Sequence, residues 1–247
     1  MKTDISPAII MRVKEFGESD LLVAFFTAQR GQLRGMAKGA RRSRKRFVNA
    51  LDLFSLVNLE HAPTRQGNLL LLHSAKLVDA YPGLRADFSA LTRASFMIEL
   101  TETLFPPGVA EPGMFELLKG SFDALSRGEK SGLIPLMFEL KAMSMGGYRI
   151  STASCLICGR AYRGNGTAVF KRERGGITCL KCEKPSPLAP SLRPASVQTI
   201  RAMQESRLSE AASWDLDEET VKEVKNVLRL HREYRLEQKL RTTRYVD

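Results

Sequence analysis

Four cysteines fall in two close pairs, Cys155-Leu156-Ile157-Cys158 and Cys179-Leu180-Lys181-Cys182, with twenty residues between the pairs. A turn of this spacing brings two thiolates to the same side, and a hairpin between two such turns assembles four sulfurs into the tetrahedron that zinc requires. The intervening chain can make that hairpin. Gly164-Asn165-Gly166 is a turn, Ala168-Val169-Phe170 a short strand, Gly175-Gly176 a second turn, and Ile177-Thr178 leads into Cys179. Four thiolates fill the coordination sphere, so the expected metal is one structural Zn2+ per chain and not a catalytic one. The alternative is four unrelated buried or redox-active cysteines.

A second cluster carries charge. From Arg30 to Arg46 the chain holds eight cations, Arg30, Arg34, Lys38, Arg41, Arg42, Arg44, Lys45 and Arg46, and no acid. Such a block repels itself unless counter-charge is present, and phosphates supply it with a strong dependence on salt. Read as one strand over Gln32–Ala40, Arg34 and Lys38 project from one face with Met36 between them. Phe25, Phe26, Phe47 and Phe54 lie nearby in sequence as stacking candidates, although each is individually better placed as core. The competing reading is a solvated loop whose charge does nothing specific.

Other chemistry has no sequence signature. There is no G-x-x-x-x-G-K-[ST] phosphate loop, dinucleotide fingerprint or H-E-x-x-H pair. His61, His73 and His231 are scattered, and Asp215, Asp217, Glu218 and Glu219 stand where acids cap a helix. No catalytic residue is assigned, and a non-enzymatic protein is expected.

Placing these residues requires two kinds of structure. Over residues 1–80 apolar positions recur with period two: Ile9, Met11 and Val13; Leu21–Thr27; a turn at Gln29-Arg30-Gly31 before Gln32–Ala40; Leu51, Leu53, Val57 and Leu59; and Leu69–Leu72. Five short strands with one long connection predict a small closed barrel of the OB type. From Leu84 the period becomes helical, with Leu84, Phe88, Leu91, Ser95 and Ile98 on one face. Met114–Leu125 and Leu133–Met145 follow as helices, the last apolar nearly all round and therefore central to a bundle. Pro185–Pro194 reads as an extended linker, before helices over Ala195–Ser206 and from about Glu218 to the basic stretch around Arg235, Lys239 and Arg241. The expected fold is α+β: an N-terminal five-stranded OB-fold barrel over 1–80, then an all-α domain over 81–247 with a four-cysteine zinc motif inserted at 150–185.

The 247 residues carry 38 Lys+Arg against 27 Asp+Glu, a formal net charge of +11 that suits a polyanionic partner. No window is apolar enough to span a bilayer, and Arg12, Lys14 and Glu15 occupy the stretch where a secretion signal would be apolar. A cytoplasmic, nucleoid-associated protein is expected.

The order of motifs resembles that of the RecO family. Ala8-Ile9-Ile10, Phe16-Gly17-Glu18-Ser19-Asp20-Leu21-Leu22, Arg30-Gly31-Gln32-Leu33-Arg34 and Ala37-Lys38-Gly39-Ala40-Arg41-Arg42 carry the likeness in the first third. Cys155-Leu156-Ile157-Cys158-Gly159 and Gly175-Gly176-Ile177-Thr178-Cys179 carry it later. The resemblance implies binding to single- and double-stranded DNA, annealing of complementary strands, and partnership with RecR and the acidic tail of single-stranded DNA-binding protein in loading RecA. It places zinc ligands at Cys155, Cys158, Cys179 and Cys182, and DNA contacts at Arg34, Lys38, Arg41 and Arg42, extending to Arg44, Lys45 and Arg46. An RNA- or ribosome-binding zinc protein without annealing activity is the alternative within binding proteins, and a metal-dependent nuclease the alternative among enzymes.

Overall fold

The computed structural model describes residues 3–64, 69–128, 132–236 and 239–243. The chain forms two compact units, 1–128 and 129–247.

In the first unit, β1 (Asp4–Phe16), β2 (Asp20–Thr27), β3 (Gly31–Ala37), β4 (Leu56–Pro63) and β5 (Leu70–Asp79) close into a barrel of order β1-β2-β3-β5-β4. All pairings are antiparallel except β3 with β5, which run parallel where Gly35, Met36 and Ala37 meet Leu70, Leu71 and Leu72. This is the strand order of an OB fold. The interior holds Ala8, Ile10, Val23, Phe25, Val57, Leu59 and Leu72, and the long β3–β4 connection plugs it with Phe47, Ala50 and Leu51.

The barrel corrects several sequence expectations. The inward set of β1 is Ala8 and Ile10, so Ile9 lies out of phase with the barrel interior yet is fully buried. Val13, expected inside, is 36% exposed. Both faces of this strand are covered over its central residues, so apolar residues run consecutively from Ala8 to Met11 and alternation loses its meaning. The third strand stops at Ala37, leaving Lys38 beyond it: Gly39 turns into the left-handed region at φ 64° and ends the extended run. The fourth begins at Leu56, not Leu51, because Phe54 also has positive φ, and the fifth continues to Asp79.

Beyond the barrel, α1 (Pro82–Ala86), α2 (Phe88–Leu104) and α3 (Pro112–Ser126) belong to the same unit. The single helix expected from Leu84 is two. Asp87 leaves helical geometry and accepts a hydrogen bond from the Ser89 amide, capping α2, so Phe88 is 72% exposed instead of joining the apolar face. A second core forms where Phe26 meets Phe105 edge-to-face, and Phe54 and Tyr81 both meet Phe122.

In the second unit, α4 (Leu133–Met145) is buried nearly all round and packs against α5 (Pro194–Glu205) and α6 (Glu218–Arg235). Its one buried charge, Glu139, accepts from Arg232 of α6 at 2.7 Å. Asp217 caps α6 by accepting from the Thr220 amide, and the Arg193 guanidinium with that amide holds the Asp217 carboxyl down at about 2. Arg232 and Arg235 occupy the last turn of α6, while Lys239 and Arg241 lie past its end. Between α4 and α5 stands a small sheet of order β7-β6-β8, made of β6 (Ala168–Lys171), β7 (Gly176–Cys179) and β8 (Ser191–Leu192). The Pro185–Pro194 stretch is therefore more than a linker, since Ser191 and Leu192 add an edge strand beside β6. No helix among the described residues is long and apolar enough to cross a membrane.

Candidate metal centre and basic surface

The two cysteine pairs converge because the β6–β7 hairpin folds the second pair back onto the first. Ala168 pairs with Cys179, and the Leu156 amide donates to the Ile177 carbonyl at 3.0 Å, stitching the first turn to β7. Each turn is closed by its own backbone, Gly159 N–H donating to the Cys155 carbonyl and Cys182 N–H to that of Cys179, both at 2.9 Å. All four Sγ atoms lie within 4.8 Å of one another, with Cys158 and Cys179 at 3.9 Å. A tetrahedron with metal–sulfur bonds of about 2.3 Å has edges near 3.8 Å, so Cys155, Cys158, Cys179 and Cys182 fit one metal ion.

Proton affinities point the same way. Burial alone would raise the Cys155 thiol, but backbone N–H groups of Cys158, Cys179 and Ile157 bring it down to about 6. Hydrogen bonding to the Cys179 and Cys158 sulfurs instead pushes Cys182 up to about 12. Four sulfurs this close cannot all ionise without a cation among them, and a bound dication removes that obstacle. The sheet that carries the site is anchored to α6: His231 packs edge-to-face on Phe170, with centroids 5.9 Å apart, and its Nε2 donates to the Tyr148 carbonyl at 2.8 Å.

The basic segment is neither one strand nor a free loop. Arg34 projects from the exposed face of β3, Lys38 follows the strand, Arg41 and Arg42 sit in a 3-10 turn (Ala40–Arg42), and Arg44, Lys45 and Arg46 lie exposed in the connection. That connection docks on the β1–β2 hairpin. Gly39 N–H donates to the Asp20 carboxylate at 2.8 Å, Arg41 N–H to the Ser19 carbonyl at 3.0 Å, and Arg41 and Arg42 pair with Glu15 and Glu18 at 3.2 and 3.7 Å. Arg46 donates to the Lys38 carbonyl at 2.7 Å and stacks on Phe47. Arg34, Lys38, Arg44 and Lys45 have no carboxylate partner among the described residues.

Seven of the eight cations thus gather on the β3 face and the connection after it, whereas Arg30 stands at the opposite end of β3, in the turn from β2. Phe25, Phe26, Phe47 and Phe54 are all buried and offer no stacking face. The acids that hold the segment, Glu15, Glu18 and Asp20, carry no signature of their own. For Glu18 and Asp20 the sequence signal is that the Phe16–Leu22 and Ala37–Arg42 blocks occur together, and in the structure those two blocks touch; Glu15, just before the first block, has none.

A family model described as Recombination protein O N terminal matches residues 1–81, and one described as Recombination protein O C terminal matches residues 85–244. Among curated proteins, the DNA repair protein RecO of Syntrophobacter fumaroxidans is 37% identical over 179 residues, covering 72% of this chain and 71% of its own. The protein of the same name from Anaeromyxobacter sp. strain K is 31% identical over 239 residues, 97% of this chain and 94% of its own. That of Syntrophus aciditrophicus is 28% identical over 99% of this chain and 95% of its own. With both halves matched, and with near full-length relatives above 30% identity, the chain belongs to the recombination protein O family.

Proposed function

We propose that this protein is a non-enzymatic mediator of DNA repair and recombination that binds single- and double-stranded DNA and anneals complementary strands. The observation that carries this reading is the held basic surface: cations at Arg34, Lys38, Arg41, Arg42, Arg44, Lys45 and Arg46, fixed on an OB barrel by contacts to the β1–β2 hairpin. Neutralising phosphates on two strands lowers their mutual repulsion, and base pairing then supplies the driving force without nucleotide hydrolysis. Because Phe25, Phe26, Phe47 and Phe54 are buried, none of them stacks on a base, and the cations of this surface act on backbone phosphates, which every sequence shares.

The metal is Zn2+, one per chain, with a structural role. Four thiolates are the donor set of structural zinc, and they leave no open position for water. Membership of the family supports the remaining partners: RecR, the acidic tail of single-stranded DNA-binding protein, and RecA indirectly, in the cytoplasm at the nucleoid. The test mixes the purified protein with two complementary fluorescent strands, without nucleotide, across a salt series. Accelerated duplex formation that fades with salt supports the reading; salt-sensitive binding without acceleration overturns annealing.

A further inference from the structure

A cavity of 440 Å³ opens on the flank of the cysteine tetrad, lined wholly by residues of the second unit. This is within the range of small-ligand pockets, about 300–1,000 Å³. Apolar Ala161, Ala168 and Ile177 line it beside Cys155 and Cys179, and its polar lining includes Arg160, Tyr162, Arg163, Asn165 and Thr167. The wall is shaped by the metal turn itself: Cys155 N–H donates to the Arg160 carbonyl, Tyr162 N–H to that of Ala153, both at 2.8 Å, and the Tyr162 hydroxyl donates to the Gly166 carbonyl at 2.9 Å. The far loop is fixed by Gln198 of α5, which donates to the Gly164 carbonyl at 3.2 Å.

Charge makes this cavity different from an incidental cleft. The Arg160 and Arg163 side chains are exposed and have no carboxylate partner among the described residues, in contrast to Lys171, which pairs with Glu183, Arg172, which pairs with Glu173, and Arg174, which donates to the Leu156 carbonyl. No carboxylate lines the cavity. Two free guanidinium groups, an aromatic ring, an amide and the Thr167 hydroxyl beside apolar Ala168 and Ile177 match one nucleotide of an unpaired strand, phosphate to the arginines and base to the ring and the apolar surface. We propose that this cavity is a second nucleic-acid site, which holds a nucleotide of single-stranded DNA on the metal-bearing unit while the barrel surface holds another strand.

This rests on the proposed DNA-binding function and deepens it, giving annealing one strand site on each unit. The cavity walls depend on the cysteine turns, so the metal here keeps a binding site in shape as well as a fold.

The test uses the full-length, metal-loaded protein and an unpaired oligonucleotide carrying photoreactive 5-bromodeoxyuridine. Irradiation followed by peptide mapping is expected to place a cross-link on the peptide containing Tyr162. Arg160→Ala/Arg163→Ala is expected to lower the slope of log affinity against log salt by about 1.4, near 0.7 for each lost single-strand phosphate contact, and to slow annealing several-fold. Metal content and melting temperature should be unchanged, which separates a lost contact from a lost fold. A second variant, Arg44→Glu/Lys45→Glu, reports on the barrel. If that variant weakens DNA binding while the cavity variant leaves slope, cross-link and annealing as they were, the second site is wrong and the proposed function stands. If the protein binds no DNA, both are wrong. A cross-link that maps only to the barrel also overturns the cavity.

Discussion

At the scale of single residues, what decides a side chain's part is whether it already has a partner. Arg41 and Arg42 face Glu15 and Glu18, so their charge is partly spent inside the protein, whereas Arg44 and Lys45 are free to meet phosphate. Neutralising Arg44 and Lys45 to Gln should therefore reduce the salt slope of single-strand binding by about 1.4 in total. Neutralising Arg41 and Arg42 should reduce it less, as salt titrations followed by fluorescence anisotropy would show. The buried Glu139–Arg232 pair follows the opposite logic. Each side chain is only 5% exposed, and removing Glu139 takes a carboxylate at 2.7 Å from a guanidinium held out of water. Glu139→Ala should cost about 3–5 kcal/mol in denaturant unfolding, and a loss below about 1 kcal/mol would mean that water reaches Arg232.

At the scale of elements, close backbone approach and metal ligation do what small hydrophobic cores cannot. The β2–β3 turn reaches the segment after α2 through Gly108 N–H, which donates to the Gln32 carbonyl at 2.9 Å. Gly31 makes this possible: its φ is +59°, and a Cβ there would lie only 1.9 Å from the Val109 carbonyl oxygen. Gly31→Ala should thus lower stability by about 1–3 kcal/mol or more, measurable as a fall in the denaturation midpoint. The β7-β6-β8 sheet has strands of four, four and two residues, too short to hold together without cross-links. Cys179→Ser removes one of four ligands. It should release the metal, seen by elemental analysis, and lower the melting temperature; full metal retention would exclude Cys179 as a ligand.

At the scale of the whole molecule, the positive balance favours polyanions, and pH acts through buried histidine. His231 is 1% exposed; burial lowers its pKa, the hydrogen bond to the Tyr148 carbonyl opposes this, and Arg235 lowers it further. Its folded pKa thus lies below its unfolded value of about 6.5. The unfolded chain binds more protons in that window, so the stability due to a neutral His231 is complete above about pH 6.5 and is lost as pH falls through the folded pKa. Melting temperature should drop from pH 7 to 5, and His231→Gln should flatten part of that drop; an identical pH profile in the variant would exclude this residue as the cause.

The sequence by itself determined the pieces whose signals are local: two C-x-x-C turns, the period-two strands, an all-apolar helix at Leu133–Met145, and a block of like charge. Spacing and periodicity are set by bonds along the chain, which is why those features were legible without a fold. Tertiary structure alone decided which face of β1 looks inward, since Ala8–Met11 are buried on both sides and the alternation is erased. It alone ended β3 at Ala37, where Gly39 turns to reach Asp20. Partnership across the chain was equally invisible: Glu15 and Glu18 with the basic turn, Arg232 with Glu139, and Arg160 with Arg163 around a cavity beside the metal turn. Charges and contacts of that kind join residues that only folding brings together, and neither composition nor period records them.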